Sequence, residues 1–416
     1  MDLYDPFYKL TGYISSFYLN SFILLSSGIA IVLRKRKLNR NKEFSNVNII
    51  LLILIIWGIV LGVLNMSYNE ELDTFTKNIL NISIEEQLIL TTLPLILLSL
   101  FFEIFHRIEI DAKMKKKLLI VFCFPIFLHL FANLLSLQGY TIFKVGTSVE
   151  EFGIRLSGIF QDKELIVDYC VLVFGLAFTL FGERKILPSS LVIASVIVGS
   201  MSGSRSFIVD ITIFLITYWY LLSVKKRKYV IIVVIPLLFL SEYILNNILD
   251  NVIVLDRLNY SMSLILKQNN IEAAINRDFD GIPAVFSNIS IMGNGAAAFN
   301  QIKGHQMVSH NLFLHAYARY GLLGLLMLLY AFYKGFSVTK RMINNKISGE
   351  LKNEACVLFS LLLSLLAQQL KLSSLRALTS MLLYSVLFIF IILLKKNYDQ
   401  TLSLSTSREV SNYDNM

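Results

Sequence analysis

The chain has 416 residues, of which 55% are hydrophobic and 16% charged, and its mean hydropathy is +0.64. This composition is too apolar for a soluble domain and is typical of a polytopic membrane protein. The net charge of +9 could suggest a nucleic-acid partner. The basic residues, however, lie in short clusters beside apolar runs, a pattern that fixes the orientation of membrane proteins. This distribution argues against nucleic-acid binding.

Long apolar runs predict an all-α polytopic membrane protein, because a chain in lipid satisfies its backbone polar groups only as helices or as a closed barrel. The three cysteines fall in three different runs, so they indicate neither a disulfide framework nor a metal cluster. About eleven transmembrane helices are predicted, at residues 13–33, 49–65, 87–105, 118–138, 165–182, 188–201, 206–224, 229–249, 312–333, 354–372 and 376–394.

The basic clusters predict the topology. The first span is followed directly by Arg34–Lys37, which places that end in the cytoplasm and the amino terminus outside. Alternation of the spans then puts most of the Lys and Arg residues, including Lys113–Lys117 and Lys225–Lys228, in cytoplasmic loops. With eleven spans, the carboxyl terminus is cytoplasmic.

This topology divides the chain into four regions. Residues 1–249 hold the first eight helices with short loops, and residues 250–311 form one long external loop. Residues 312–396 hold the last three helices. Residues 397–416 form a cytoplasmic tail that is rich in Ser, Asn and Asp and is predicted to be disordered. The long loop gathers polar residues between apolar spans, so we expect the chemistry there.

Arginines mark several external positions. Arg155, Arg205, Arg257 and Arg277 all lie in predicted external segments. A guanidinium is a planar fork of donors that suits phosphate, although an external arginine is also often a snorkelling or surface-paired charge. Arg205 ends a Ser-Gly-Ser-Arg sequence between two spans, which predicts a tight external turn that leaves this arginine little freedom.

Polar residues also fall inside the predicted spans. Arg319 lies about two turns into the ninth helix, where an unpaired charge is costly, so it is predicted to face the bundle interior. An acidic residue such as Glu242 or Asp210 could neutralise it. The polar residues Asp168, Asp210, Glu242, Gln368 and Gln369 could line a pathway, which keeps a transporter open as an alternative.

His310 directly precedes the ninth helix, where Ser309 or Asn311 could cap the first turn. An imidazole with an unperturbed pKa of about 6.5 can take a proton from a hydroxyl at neutral pH. The same position also suits an ordinary histidine beside a helix cap. No Walker A, GxSxG or HExxH motif occurs, so ATP hydrolysis, α/β-hydrolase chemistry and zinc proteolysis have no sequence support.

Five short motifs, taken together, resemble the O-antigen ligases and the Wzy-type O-antigen polymerases. The G-x-G, H-N-x-x-L and G-L-x-G elements of that superfamily are matched by Gly293–Gly295, by the segment from His310 and by Gly321–Gly324. Its S-x-S-R element is matched by Ser202–Arg205, and its R-x-x-G element by Arg155–Gly158.

The resemblance implies a GT-C-like glycosyltransferase in the bacterial cytoplasmic membrane. It would join undecaprenyl-diphosphate-linked repeat units into O-antigen or capsular polysaccharide on the outer face, with no metal and no cofactor. Its implied partners are the lipid-linked donor and acceptor, membrane lipid, a chain-length regulator and a flippase. A glycan ligase of the same superfamily and a lipid-linked oligosaccharide flippase are the alternatives.

The resemblance also implies roles for single residues. His310 is expected to be the base for the acceptor hydroxyl, and Arg205 and Arg277 to stabilise the departing diphosphate. The other implied residues share a substrate-binding role. They are Arg155, Arg257, Asn311 and Arg319.

Overall fold

The structure is a computed structural model. It describes residues 49, 52–61, 64, 96, 99, 112–140, 147–150, 153–156, 158–160, 163–181, 186–222, 291–293, 312–345, 349–369 and 386–401. These residues are predominantly α-helical, as the composition predicts. The helices, named in chain order, are α1 (Leu52–Leu61), α2 (Ala112–Cys123), α3 (Pro125–Leu137), α4 (Lys163–Ala177), α5 (Ile186–Met201), α6 (Arg205–Leu221), α7 (Leu312–Asn344), α8 (Gly349–Gln369) and α9 (386–401).

The chain divides into two compact units. Unit 1 comprises residues 1–109, 278–333 and 369–392, and unit 2 comprises residues 110–277, 334–368 and 393–416. Two described helical stretches, Lys113–Leu137 and Ala316–Asn344, are long and apolar enough to cross a membrane, judged by length and composition. Four further apolar helices are shorter, and they lie in α1, α4, α5 and α6.

A short hairpin departs from the all-α expectation. Strand β1 (Thr147–Glu150) pairs antiparallel with β2 (Gly153–Leu156), so that Thr147 lies opposite Leu156. A 3-10 turn, Gly158–Phe160, follows. All of these residues fall in the external segment predicted between the fourth and fifth spans, so the hairpin lies outside the predicted spans.

Two predicted boundaries were wrong. The ninth helix was predicted to end at residue 333, but α7 continues to Asn344 and contains a non-helical residue at Gly321. The tail was predicted to begin at residue 397, but α9 continues to residue 401. Beyond both predicted ends the hydropathy falls, but the helical hydrogen bonds continue. A helix does not have to be apolar on all sides, because packing of one apolar face is enough to stabilise it.

Pro125 divides the fourth predicted span into α2 and α3. Proline has no amide hydrogen, so it cannot continue the helical ladder. The Tyr169 hydroxyl of α4 donates to the carbonyl of Phe122 at 2.7 Å and lies 3.4 Å from that of Cys123. Helix α4 therefore supplies a donor where the ladder between α2 and α3 is interrupted.

The polarity of α2 and α3 is inverted relative to a soluble protein. Val121, Phe124 and Leu128 are 69%, 61% and 48% exposed. His129 and Asn133 of α3 are buried. An apolar exterior around buried polar side chains is typical of helices that face lipid.

Helix α4 is the core of unit 2. Every side chain from Leu165 to Phe178 is buried, which is expected of a helix that is apolar on all sides. The ring of Phe178 lies against those of Phe214 and Tyr218 in α6, with centroids 5.7 and 5.3 Å apart. Cys123, Cys170 and Cys356 are buried free thiols in this unit.

Candidate functional site

The sequence Ser202–Arg205 forms a tight turn between α5 and α6, as predicted, and we name it the serine turn. Gly203 has a φ of +63°, a conformation that favours glycine. The Ser202 hydroxyl donates to the carbonyl of Gly199 at 2.5 Å and accepts from the amide of Ser204 at 3.3 Å. The turn is therefore held by its own buried serines, and its arginine begins α6.

Small residues and one amide fix the serine turn in unit 2. A Cβ on Gly199 would lie 2.6 Å from Cδ2 of Phe207, so glycine allows α5 and α6 to approach closely. Met201, the last residue of α5, places its sulfur 3.7 Å from Nδ2 of Asn133 on α3. Ser204 and Ser206 share a hydrogen bond of 2.6 Å between their hydroxyls.

The R-x-x-G motif is anchored on the same helix, α3. The motif runs from β2 into the 3-10 turn, where Gly158 has a φ of +62°. The amide of Ile159 donates to Nδ1 of His129 at 3.2 Å. A Cβ on Gly158 would overlap the imidazole of His129, so the glycine permits this close approach.

Two arginine-bearing motifs thus converge on one face of α3. His129 holds the R-x-x-G motif, and Asn133 contacts the residue that enters the serine turn. Residues four apart lie about 6 Å apart along a helix and on the same face. Arg155 and Arg205 therefore come from segments anchored at successive turns of α3.

Helix α8 reaches the same end of unit 2. The Ser364 hydroxyl donates to the backbone carbonyl of Asp210 in α6 at 2.6 Å. Gln368 lies one helical turn further along α8 and is 1% exposed. Asp210 itself is buried, one and a half turns from the serine turn, as its spacing predicts. The serine turn therefore lies at the end of unit 2 that holds a buried polar layer from α6 and α8.

The other end of unit 2 brings together residues that the topology assigns to the cytoplasmic side. Lys115 of α2 and Glu354 of α8 form an ion pair of 2.5 Å. The Tyr218 hydroxyl of α6 donates to the side-chain carbonyl of Asn353 at 2.8 Å. The side-chain amide of Asn353 donates to the carbonyl of Phe178 at 3.4 Å. Within unit 2, segments predicted to share a side of the membrane do lie at the same end.

In unit 1, the G-x-G and G-L-x-G motifs meet, and we name the contact between Gly293 and Gly321 the glycine joint. Both residues have positive φ, +87° and +68°. A Cβ on Gly321 would lie 2.6 Å from the amide nitrogen of Gly293, and a Cβ on Gly293 would lie 2.7 Å from the carbonyl oxygen of Arg319. The amide of Leu322 donates to the carbonyl of Ile291 at 2.8 Å. The joint is a contact of backbone on backbone.

The second glycine of the G-L-x-G motif has its own steric reason. A Cβ on Gly324 would lie 2.9 Å from the carbonyl oxygen of Ala316 and would overlap the Cβ of Tyr320. The Tyr320 ring packs in turn on Gly58 of α1, where a Cβ would lie 2.6 Å from its Cε1. Gly321 and Gly324 therefore both permit close packing at the interruption of α7.

Sequence reasoning missed Trp57. Its indole Nε1 donates to the carbonyl of Met292 at 3.2 Å, beside the glycine joint. Its ring packs on a cluster formed by Leu54, Ile55 and Tyr320. A tryptophan next to a glycine in an apolar run was the available signal, since a partly buried indole is expected to find an acceptor for its N–H.

Arg319 is buried in unit 1, with 6% of its surface exposed, as its depth in the helix predicts. It lies two residues before Gly321, where α7 departs from helical geometry. Interrupted helices in membranes are tolerated where the freed backbone groups find other partners or line a cavity. Glu242, one predicted neutralising partner, lies outside the described residues.

The remaining predicted site residues are described in part or not at all. The backbones of Arg155 and Arg205 are described, and their side chains lie outside the description. Arg257, Arg277, His310 and Asn311 lie outside the described residues. In the part of the chain that is described, no three His, Cys, Asp or Glu side chains come together as metal ligands would.

No protein-family model matches this chain, and no curated protein matches it significantly. The resemblance to the O-antigen polymerases therefore consists of short motifs, of which Ser202–Arg205 and Gly321–Gly324 have their whole backbone described and the other three are described in part.

Proposed function

We propose that the chain is a membrane glycosyltransferase of the O-antigen polymerase type. It transfers a growing glycan from undecaprenyl diphosphate to the non-reducing end of a lipid-linked repeat unit. The reaction takes place at the outer face of the bacterial cytoplasmic membrane, in a GT-C-like fold of about eleven transmembrane helices. The products are O-antigen or capsular polysaccharide chains.

One observation carries the proposal. The R-x-x-G and S-x-S-R motifs are far apart in the sequence, yet both are anchored on adjacent turns of α3 by His129 and Asn133. Each motif supplies an arginine, and each is held by glycine or serine in a form that leaves little local freedom. Two arginine-bearing segments on rigid supports suit a diphosphate, because guanidinium groups bind phosphate oxygens best when their supports are fixed.

Each proposed catalytic residue acts on one bond of the glycosyl transfer. The acceptor hydroxyl oxygen attacks the anomeric carbon of the donor, and its proton passes to the imidazole of His310. The bond between the anomeric carbon and the diphosphate oxygen breaks, and the electron pair leaves with undecaprenyl diphosphate. Arg205 and Arg277 stabilise that developing charge, and a fixed donor of this kind contributes about 2.7–4 kcal/mol.

The substrate-binding roles fall to Arg155 in an earlier external segment, to Arg257 and Asn311 within the long loop, and to Arg319 in α7. Arg155 and Arg257 position sugar or phosphate, and Asn311 and Arg319 do so at the start of α7. The glycine joint supports this assignment, because it ties residues 291–293 to α7 at a point only two residues beyond Arg319.

The test is extension by the purified protein in liposomes. The substrate is the undecaprenyl-diphosphate-linked repeat unit extracted from a strain that lacks this protein. A ladder of carrier-linked oligomers is expected after electrophoresis. Transfer of the glycan to a different acceptor would show a ligase, movement of the repeat across the bilayer without extension would show a flippase, and either result would overturn the proposal.

A further inference from the structure

Two buried carboxamides in unit 2 have polar atoms without hydrogen bonds. Asn133 and Gln368 are 0% and 1% exposed. Within the described part of the chain, Oδ1 of Asn133 and both side-chain polar atoms of Gln368 have no hydrogen-bond partner. A buried polar atom without a hydrogen bond lowers the stability of the fold, because it loses its bonds to water. An apolar side chain of the same shape would not have this cost. Retention of two such groups points to a ligand.

Both carboxamides lie at the end of unit 2 that carries the serine turn. Asn133 contacts Met201, the residue that enters the turn. Helix α8 runs antiparallel to α6, since Asn353 bonds to Tyr218 near one end and Ser364 bonds to Asp210 further along. One more turn of α8 therefore brings Gln368 level with the first turn of α6.

The free atoms identify the kind of group they would bind. Nδ2 of Asn133 faces the sulfur of Met201, which is a weak acceptor. If the side-chain amide were rotated by 180°, its oxygen would face this sulfur, which has no hydrogen to donate. The unsatisfied atom of Asn133 is therefore an acceptor, which requires a donor, whereas Gln368 leaves one donor and one acceptor unsatisfied. A phosphate ester at neutral pH offers acceptors almost alone, whereas a sugar offers hydroxyl or acetamido hydrogens.

We propose that Asn133 and Gln368 form a saccharide subsite beneath the serine turn. They bind hydroxyl or acetamido groups of the lipid-linked glycan, while Arg205 holds its diphosphate. The inference rests on the proposed function and deepens it, because it assigns recognition of the sugar to residues separate from those that hold the leaving group.

The experiment compares two probes on the detergent-purified full chain. One is undecaprenyl diphosphate, and the other is the undecaprenyl-diphosphate-linked repeat unit. The variants are Asn133→Leu and Gln368→Met, which keep the shape and remove the amide. We expect the affinity for the repeat unit to fall at least tenfold in each variant. In Gln368→Met, the affinity for undecaprenyl diphosphate should stay within twofold and the thermal unfolding midpoint should stay equal or rise. In Asn133→Leu, which also loses the contact with Met201, the affinity for undecaprenyl diphosphate should fall clearly less than the affinity for the repeat unit.

The matched control is Ser360→Ala. Ser360 is also buried on α8, two turns before Gln368, but its hydroxyl already donates to the carbonyl of Cys356 at 2.8 Å. This variant should bind both probes as the wild type does. If Asn133→Leu does not reach the membrane, Asn133→Ala and Gln368→Asn provide the same comparison. Asn133→Ala removes the amide, and Gln368→Asn shortens the side chain by one methylene, which moves the amide away from the ligand.

The outcomes separate the two proposals. If both variants bind the repeat unit as tightly as the wild type, the subsite is wrong, and the amides bind ordered water or nothing. If the wild type binds both probes equally, the protein does not recognise sugar here and the subsite is again wrong, although extension could still proceed. If the wild type binds neither probe, the proposed function itself fails.

Discussion

The glycine joint of unit 1 and the serine turn of unit 2 both hold motif residues, but by different means. At the glycine joint, the two backbones are in contact, and each occupies the space that a side chain on the other would need. Gly293 and Gly321 also have positive φ, which disfavours other residues. At the serine turn, buried hydroxyls satisfy the backbone, and only Gly203 needs a left-handed conformation.

This difference predicts how each region tolerates change. A backbone contact fails as soon as a methyl group is added, because neither partner can move without breaking its own hydrogen bonds. A turn held by polar side chains loses one hydrogen bond at a time, at about 0.5–1.5 kcal/mol each. We therefore expect substitutions at the joint to act on folding and substitutions near the turn to act on chemistry.

The largest effect is expected for His310→Ala, two residues before α7 in the sequence. Loss of a general base should lower the extension rate by about 10²- to 10⁴-fold. The amount of protein in the membrane should not change. His106→Ala, in a predicted cytoplasmic loop, is the control. Wild-type glycan ladders from the His310 variant would remove this residue from the mechanism.

The serine turn is tested by Arg205→Ala. Removing one fixed donor to the leaving group should lower the extension rate by about 10²- to 10³-fold. Arg205→Lys should restore only part of it, since lysine lacks the planar fork. Arg341→Ala, in the last turn of α7, is the charge-matched control. Full rescue by lysine would show that a charge alone suffices and that the rigid turn has no special role.

Folding at the glycine joint is tested by Gly321→Ala against Gly139→Ala. Both glycines have positive φ, but a Cβ on Gly139 would meet nothing within 4 Å. The left-handed conformation alone costs about 1–2 kcal/mol for alanine. The free energy of unfolding should fall by that amount at Gly139 and by clearly more at Gly321. Equal losses would mean that the backbones separate easily.

The smallest effect is expected for Trp57→Phe. The ring packing remains, and the hydrogen bond to the Met292 carbonyl is lost, at about 0.5–1.5 kcal/mol. Trp57→Ala, which also removes the ring from the cluster with Leu54 and Tyr320, should cost clearly more, because the packing of the partly buried ring is lost as well. Thermal unfolding in detergent measures both. Equal losses would show that the indole N–H carries the whole contribution.

Much of the described helical architecture was predictable from local composition. The bounds of α5 and α6 lie within three residues of the predicted spans, and the turn between them follows from Ser-Gly-Ser. The burial of Arg319 was predicted from its depth in an apolar helix. The β1–β2 hairpin was missed, because two strands of four residues in a polar segment leave little periodic pattern.

The candidate site was predictable as a set of motifs but not as an arrangement. Gly293 and Gly321 were recognised separately, and nothing local to either indicates that their backbones touch. His129 and Asn133 look like ordinary buried residues of a span, and only the contacts with Ile159 and Met201 show what they hold.

Sequence alone was enough to establish an apolar, predominantly helical chain and the position of the serine turn, because hydropathy and backbone chemistry act over a few neighbouring residues. The tertiary structure decided which distant motifs share a helix face and which glycines must lack a side chain. Those properties depend on the path of the whole chain, since a contact between segments far apart is set by packing and not by the residues beside it.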